Sequence, residues 1–497
     1  MRILYYNWVD FLDTDKRGGG VTIYQKNLVD ELSNKGHDVF FLSSGMAYNL
    51  KQRPYVRENE SYKGVRRFEL VNSEVLSPGH ISFYSESSLY AEKTRNAFFE
   101  FIEDVGPFDV IHFNNLEGIP VEVLSINEKW KKTKVVFSLH NYYAVCPQVN
   151  LWHREKENCL DYNGGSKCAT CLDYEPNATG SFKAKLLAEL LNGIGINQGS
   201  KFFSLSFMCA PKFYSFLKGI KSLPEKLSLL IGQSNDDKSS QILDQIVVPE
   251  DIHYLLSRRQ VMIRHINKYC DVILSVSNRV KEVASSFGIM EEKIRTLYIG
   301  TKIGDLYSPP NINELLKELS NKKTICIGYL GYMRKDKGFY FLMDTLESFP
   351  NELARKINLV IAARLSDPVI KKRLEILAGR FNEVHYSNGY THDTLPEIYK
   401  KLDLSIVPVL WEDNLPQVVY ESACHHVPVL TSNLGGAKEV GGCNSDFIFE
   451  AGSENDFINK VSYFSENPER LAEYWKGVMR PPTMSAHVSD LVRYYQE

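Results

Sequence analysis

The stretch WEDNLPQVVYESACHHVPVLTSNLGG, Trp411–Gly436, places two carboxylates, Asp413 and Glu421, on either side of Pro416. Proline suits the first position of a helix, because its ring fixes φ and its missing N–H would have had no partner there. The free amides at such a helix start attract anions, phosphate above all. Glu421 falls about a turn and a half into the helix, where it can accept hydrogen bonds from vicinal hydroxyls such as those of a ribose. Asp413, in the loop with Asn414 and Leu415, can hold hydroxyls at the far end of the same ligand. These residues suit a molecule with polyol, diphosphate and polyol in line. A plainer reading also stands, in which Asp413 caps the helix and Glu421 is a solvated charge.

Other stretches bear on that choice. In GYLGYMRKDKG, Gly328–Gly338, a strand ends at Gly331 and Lys337 and Gly338 stand at a helix start. A lysine there can neutralise a diphosphate as a point charge, and the glycine permits close backbone approach. Arg334 is a second cation in the same loop. SNLGG after the next strand suits either phosphate or simple chain reversal, and Gly389 and Tyr390 close another strand-like run, EVHYSNGY. Near the amino terminus, Gly19 and Gly20 belong to a GGG turn that lacks the GxGxxG spacing. His140 ends the run KVVFSLH, a position where a histidine is more often structural, and His112 reads as structural or supporting.

The elements that must carry these residues alternate. A strand RILYYN, a glycine turn, a helix with Val21, Tyr24, Leu28 and Leu32 on one face, and a stop at Gly36 open the chain. FDVIHFNN, KVVFSLHNYY and DVILSVS follow as β-type runs. The pattern restarts after Pro309–Pro310 with TICIGYLG, INLVIAA, EVHYSNGY, LSIVPVL and VPVLTS. Strands alternating with helices predict parallel, doubly wound sheets with ligands off the carboxyl ends of the strands. The expected fold class is α/β with two Rossmann-like domains facing across a cleft. Residues 1–300 form an amino-terminal domain with a helical insertion at about 175–258, residues 301–480 a second domain, and 481–497 a terminal helix that can dock back. At 497 residues, about two to three domains are expected. A net charge of −3 supplies no field toward nucleic acid or anionic lipid. The start has no signal-type apolar core, and no run is long enough to cross a membrane, which predicts a cytoplasmic protein.

The stretches GGGVTIYQKNLVDELSNKGHDV, DVIHFNN, SLHNYY, GYLGYMRKDKG and DNLPQVVYESACHHVPVLTSNLGGAKEV resemble the retaining glycosyltransferases of family 4, which have the GT-B fold. In that family two glutamates with seven residues between them mark the donor site, and Asp413 and Glu421 match the spacing. The resemblance implies that Glu421 holds the nucleotide ribose, that Asp413 and the amides of Asn414 and Leu415 meet the transferred sugar, and that Lys337 faces the diphosphate. It implies that Gly19 and Gly20 approach the ligands across the cleft and that His140 lines the reacting sugar, so the catalytic candidates are His140, Lys337 and Asp413. It implies a hexosyl transfer with retention, no metal at the diphosphate, and a phosphate oxygen of the donor taking the acceptor proton. The implied donor is a nucleotide-diphosphate sugar, a UDP-sugar first. The implied acceptor is a saccharide or lipid-linked saccharide in cell-surface polysaccharide synthesis. Three departures stand out: Tyr332 where the family often has arginine, Asn141 where it often has aspartate, and the shorter Asp413.

Nine cysteines are spread unevenly. Cys209, Cys270, Cys326, Cys424 and Cys443 read as small, mostly buried residues. Cys146, Cys159, Cys168 and Cys171 cluster with one C-x2-C knuckle, which points to structural zinc, with two disulfides or unlinked thiols as the alternatives. Between Phe182 and Leu223, lysines 183, 185, 201, 212, 218 and 221 interleave with aromatic rings. That composition fits either a helical subdomain with solvated lysines or peripheral contact with a membrane face. Two further readings of the whole chain stay open: a non-catalytic sugar-nucleotide-binding protein, and an epimerase on the same scaffold.

Overall fold

The computed structural model describes the chain except for positions 14, 16, 52, 197–199, 204, 207–251, 366 and 392. Two large sheets organise it. The first has eight strands in the order Ile294–Thr296, Val272–Ser275, Lys134–Leu139, Val110–Phe113, Arg2–Tyr6, Asp38–Ser44, Val65–Val71, Tyr55–Tyr62. Every neighbouring pair is parallel except the last, where Tyr55–Tyr62 runs antiparallel to Val65–Val71. Inner strands such as Val110–Phe113 are buried on both faces, which is why they are continuous apolar runs. The edge strand Tyr55–Tyr62 is half exposed and carries Arg57, Glu58 and Glu60, charges that discourage pairing with another chain.

The second sheet has six parallel strands in the order Glu383–Ser387, Ile357–Arg364, Ile325–Tyr332, Leu404–Val407, Val429–Ser432, Ile448–Phe449. The first three strands in sequence run outward to one side and the next three to the other. The order therefore reverses between Ile325–Tyr332 and Leu404–Val407, and a crevice must open at their carboxyl ends. The loops that leave those two strands carry Lys337 and Asp413. In the first sheet the same reversal falls between Arg2–Tyr6 and Val110–Phe113, whose exit loops carry the glycine turn and Asn114.

The helix Met484–Gln496 packs on the amino-terminal sheet. Tyr495 lies between Tyr5 and His112: the two tyrosine hydroxyls are hydrogen-bonded, and the Tyr495 hydroxyl is 2.6 Å from His112 Nδ1. His112 completes its bonding with Ser138 Oγ at 2.7 Å and is fully buried, so its role is structural. About two turns earlier, His487 Nε2 meets the Tyr24 hydroxyl at 2.8 Å.

Several expectations are corrected. Pro416 is the residue before the helix Gln417–Cys424, with an extended backbone, rather than its first residue. Cys443 is exposed, in a left-handed turn with φ 56°, and is not a core residue. In the insertion, the helix Ala178–Gly193 lies on the amino-terminal domain: Phe182 packs edge-on against Tyr48 at 5.1 Å, Lys185 Nζ donates to the Ser77 carbonyl at 2.6 Å, and Glu189 pairs with Arg57. Phe182 and Lys185 are thus committed to the protein rather than to a membrane face. The lysine and aromatic stretch from 207 to 223 lies outside the described residues. Among the described residues no helix is long and apolar enough to cross a membrane.

Replacing Tyr495 by Phe strips a hydroxyl from a fully buried network and leaves Tyr5 and His112 with a lost partner. The expected cost is about 1–3 kcal/mol, read as a lower midpoint in urea unfolding.

Candidate functional site

The Asp413 loop and the Lys337 loop meet because they leave adjacent strands at the point of reversal. Lys337 Nζ donates to Asp413 Oδ2 at 2.5 Å and stands 5.4 Å from the centre of the Trp411 ring. Gly338 makes the approach possible. Its φ is 71°, and a Cβ there would fall 1.6 Å from the Pro408 carbonyl oxygen. On the other side of the Asp413 loop Gly435 does the same, with φ 66° and a virtual Cβ 2.1 Å from the Asp413 carbonyl oxygen. The SNLGG turn is therefore a backbone-on-backbone support for Asp413 and Asn414.

Glu421 projects from the helix Gln417–Cys424 and is buried. Its Oε2 has no hydrogen-bond partner, and burial raises its pKa to about 7. Tyr390 lies within electrostatic reach of it, and burial pushes that phenol up as well. Gly389, with φ 83°, turns the chain there beside Arg364. Leu415 is a buried side chain. Arg334 forks its guanidinium onto Asp336 at 2.9 and 2.7 Å.

The opposite wall comes from the amino-terminal domain. His140 follows its strand, and its Nε2 is 3.1 Å from Asn114 Oδ1. Asn114 donates its own amide to the Tyr6 carbonyl at 3.2 Å, so its oxygen must face the histidine, which donates from Nε2. The buried Nδ1 is left as an acceptor without a partner. Burial, with some help from the charge of His487, lowers the pKa of His140 to about 3, so the ring is neutral. Tyr24 packs on it at 5.2 Å. Gly19, with φ 56°, precedes the helix Gly20–Asn34, and the Gly20 carbonyl accepts from Gln417 Nε2 at 3.2 Å. The glycine turn thus faces the start of the Glu421 helix.

Direct bonds join the two walls. Asn414 Nδ2 donates to the Leu139 carbonyl at 3.0 Å, and Ser277 Oγ donates to the Asn414 carbonyl at 2.9 Å. Glu412, with no exposed surface, accepts from Arg279 at 2.6 and 3.0 Å and from the Gly435 N–H at 3.0 Å. Glu439 accepts the Asn278 and Arg279 backbone N–H groups at 2.9 and 2.7 Å, at the start of the helix Asn278–Ser286. Glu412, Arg279, Asn114 and Gln417 were missed from sequence. Glu412 had a signal, as the neighbour of Asp413 at a strand exit, whereas its partner lies more than a hundred residues away.

The comparisons follow this geometry. Residues 312–477 match the family model "Glycosyl transferases group 1". Spore coat protein SA of Bacillus subtilis is 26% identical over 220 residues, 41% of this chain and 58% of that protein. An uncharacterized glycosyltransferase of Methanocaldococcus jannaschii is 24% identical over 214 residues, 41% of this chain and 49% of that one. The chain thus spans about half the length of the curated relatives it matches. Among solved structures, sucrose-phosphate synthase of Thermosynechococcus elongatus aligns over 100% of this chain and 98% of its own at a TM-score of 0.56 and 14% identity. Anabaena HepE, in complex with UDP and glucose, aligns over 100% of both chains at 0.51 and 12% identity. The two parallel-sheet, Rossmann-like domains are those of GT-B proteins.

Breaking the Arg279–Glu412 pair from the arginine side leaves a carboxylate buried without its cation. Arg279→Leu should cost about 3–5 kcal/mol, seen as a lower unfolding midpoint. Adding Glu412→Gln should recover most of that loss.

Proposed function

We propose that the protein is a retaining glycosyltransferase that moves a sugar, a hexose in the first instance, from a nucleoside diphosphate to a saccharide or lipid-linked saccharide acceptor. The observation that carries this reading is the buried, unpartnered oxygen of Glu421. A buried carboxylate without a donor is costly, and ribose hydroxyls supply donors of the right kind. From Glu421 the ligand's diphosphate extends along the helix start toward Lys337, whose charge offsets the leaving group. Its sugar reaches Asp413 and the unpartnered acceptor Nδ1 of His140. In the free protein Lys337 is held by Asp413, so the lysine is positioned before the donor arrives and its ammonium is shared when it does. With the carboxylates occupied by hydroxyls, no carboxylate is required as nucleophile, and a phosphate oxygen of the donor takes the acceptor proton. HepE was solved with UDP and glucose, which makes a UDP-sugar the first donor to test. A neutral His140 serves as a hydrogen-bond partner rather than as an acid.

The competing reading, a sugar-nucleotide-binding protein without turnover, rests on the same Lys337–Asp413 contact, since a lysine neutralised by an aspartate also makes a stable, inert pocket. Hydrolysis or transfer of the donor sugar separates the two.

The pH dependence has a definite sign. The folded-state pKa of Glu421 is raised from 4.5 to about 7, so its contribution to stability is full below the ordinary value and is lost as pH rises toward the raised one. Ribose hydroxyls donate to the ionised form. Donor affinity, measured by titration calorimetry, should therefore tighten as pH rises through about 7. Glu421→Gln should weaken binding more than about tenfold at high pH and flatten this profile.

Asp413→Ala and Lys337→Ala should each lower turnover by more than about tenfold, with smaller changes in donor affinity. Unchanged donor affinity in Glu421→Gln together with unchanged turnover in Asp413→Ala and Lys337→Ala would reject the site.

A further inference from the structure

Cys146, Cys159, Cys168 and Cys171 are free and buried on one irregular segment downstream of His140. Every pair among them lies within electrostatic reach. The backbone between them is strained: Val149, Leu151, Arg154, Glu155 and Asn163 have φ of 69°, 53°, 53°, 54° and 49°. Branched side chains are rare in that region, and such conformations persist only where the surroundings hold them. The strained residues are tied to the cysteines themselves. Val149 donates its N–H to the Cys146 carbonyl at 2.9 Å, Cys159 to that of Leu151 at 2.7 Å, and Arg154 to that of Cys171 at 3.2 Å.

Two arginines stand against this segment from the helix Ile252–Tyr269. Arg258 and Arg259 are 2% and 4% exposed. Arg258 Nη2 donates to the Tyr143 carbonyl at 3.0 Å, and Arg259 Nε to the Val145 carbonyl at 2.5 Å. The Arg259 guanidinium stacks 3.5 Å from the centre of the Tyr162 ring. On each arginine Nη1 is buried and unpartnered. Among the described residues no carboxylate pairs with either. Glu117 is within electrostatic reach of Arg258, but it accepts from the Gly79 N–H and from Asn141. What does face Arg259 is Cys146, Cys168 and Cys159, and Cys146 also faces Arg258. Cys168, Tyr162 and both arginines share the lining of one small cavity.

Buried guanidiniums without a counter-ion are strongly unfavourable. Neutral thiols give them nothing to pair with, whereas thiolates do. Four thiolates around one zinc ion leave two negative charges in excess, and two guanidiniums offset them. We propose that the four cysteines form a closed, structural tetrathiolate zinc site and that Arg259, aided by Arg258, is its counter-charge. The donor set fits zinc, and the orphaned arginine donors fit a negatively charged centre. Zinc takes the thiols as thiolates, so loading releases protons to solvent. Because the arginines also hold the carbonyls of Tyr143 and Val145, the site fixes the turn between His140 and Cys146 to the helix behind it.

The test uses the full chain expressed with added zinc. Elemental analysis should find about one zinc per chain in the wild type and in Arg259→Met, with a large loss in Cys168→Ser. Arg259→Met should release its zinc to a chromogenic chelator about 10–100-fold faster than wild type, the usual scale for losing a partner of the ligand set. Metal-free wild type, with the four thiols either alkylated under native conditions or paired as disulfides, overturns the site. A zinc-loaded Arg259→Met with wild-type release overturns the role of the arginine and leaves the site standing. Neither readout depends on transferase activity.

Discussion

Glu412 has no surface in water, and the guanidinium that answers it comes from the other domain. Taking a carboxylate out of water is tolerable only with a cation in good geometry and further donors on the remaining lone pairs. Arg279 supplies two bonds and Gly435 a third. Asp413 is the next residue, so the direction in which it enters the crevice is set by how its neighbour is held. The same arginine contributes its backbone N–H to Glu439. One residue of the amino-terminal domain thus fixes two acids of the second domain, and with them the loop that faces Lys337.

Much of the scaffold is legible in the sequence because parallel strands buried on both faces must be apolar runs, and their exits must be polar. RILYY, VIHF and ICIGYL are of this kind, and the exits of such runs place Lys337, Asp413 and His140 at strand ends. The place of Glu421 in the helix is legible because a helix start after a strand exit fixes where its first turns fall. What the sequence hides is pairing over distance. Nothing near Arg279 names Glu412, and nothing near His140 names Asn114. The pairing of Arg334 is local by contrast: its partner, Asp336, is two residues away. Pro416 shows the usual imprecision at element ends, where one residue's shift changes a role. The glycines of SNLGG are legible as a turn but not as a support, because their use depends on the Asp413 backbone that lies against them.

The terminal helix makes the amino-terminal wall a composite. His487 contacts Tyr24, and Tyr24 contacts His140. His487 also meets the Tyr298 carbonyl at 2.8 Å, and the Tyr298 hydroxyl donates to Glu439 at 2.6 Å. A continuous run of ring contacts and hydrogen bonds therefore leads from the cleft histidine to the acid that holds the start of the helix Asn278–Ser286. All of its rings except Tyr298 are deeply buried or face the cleft. Rings packed this closely have few alternative rotamers, so His140 is presented in one orientation.

Glu421 has a thermodynamic consequence beyond recognition. A carboxyl that titrates at about 7 is only partly ionised near neutrality. Any ligand that donates hydrogen bonds to it favours the ionised form and drives off the remaining proton. Binding in this cleft is then coupled to a fractional proton release, and the heat observed includes that of the buffer taking the proton up. Two buffers of equal pH and unequal ionisation enthalpy will report different apparent enthalpies for one and the same complex, and the difference counts the protons leaving a single side chain.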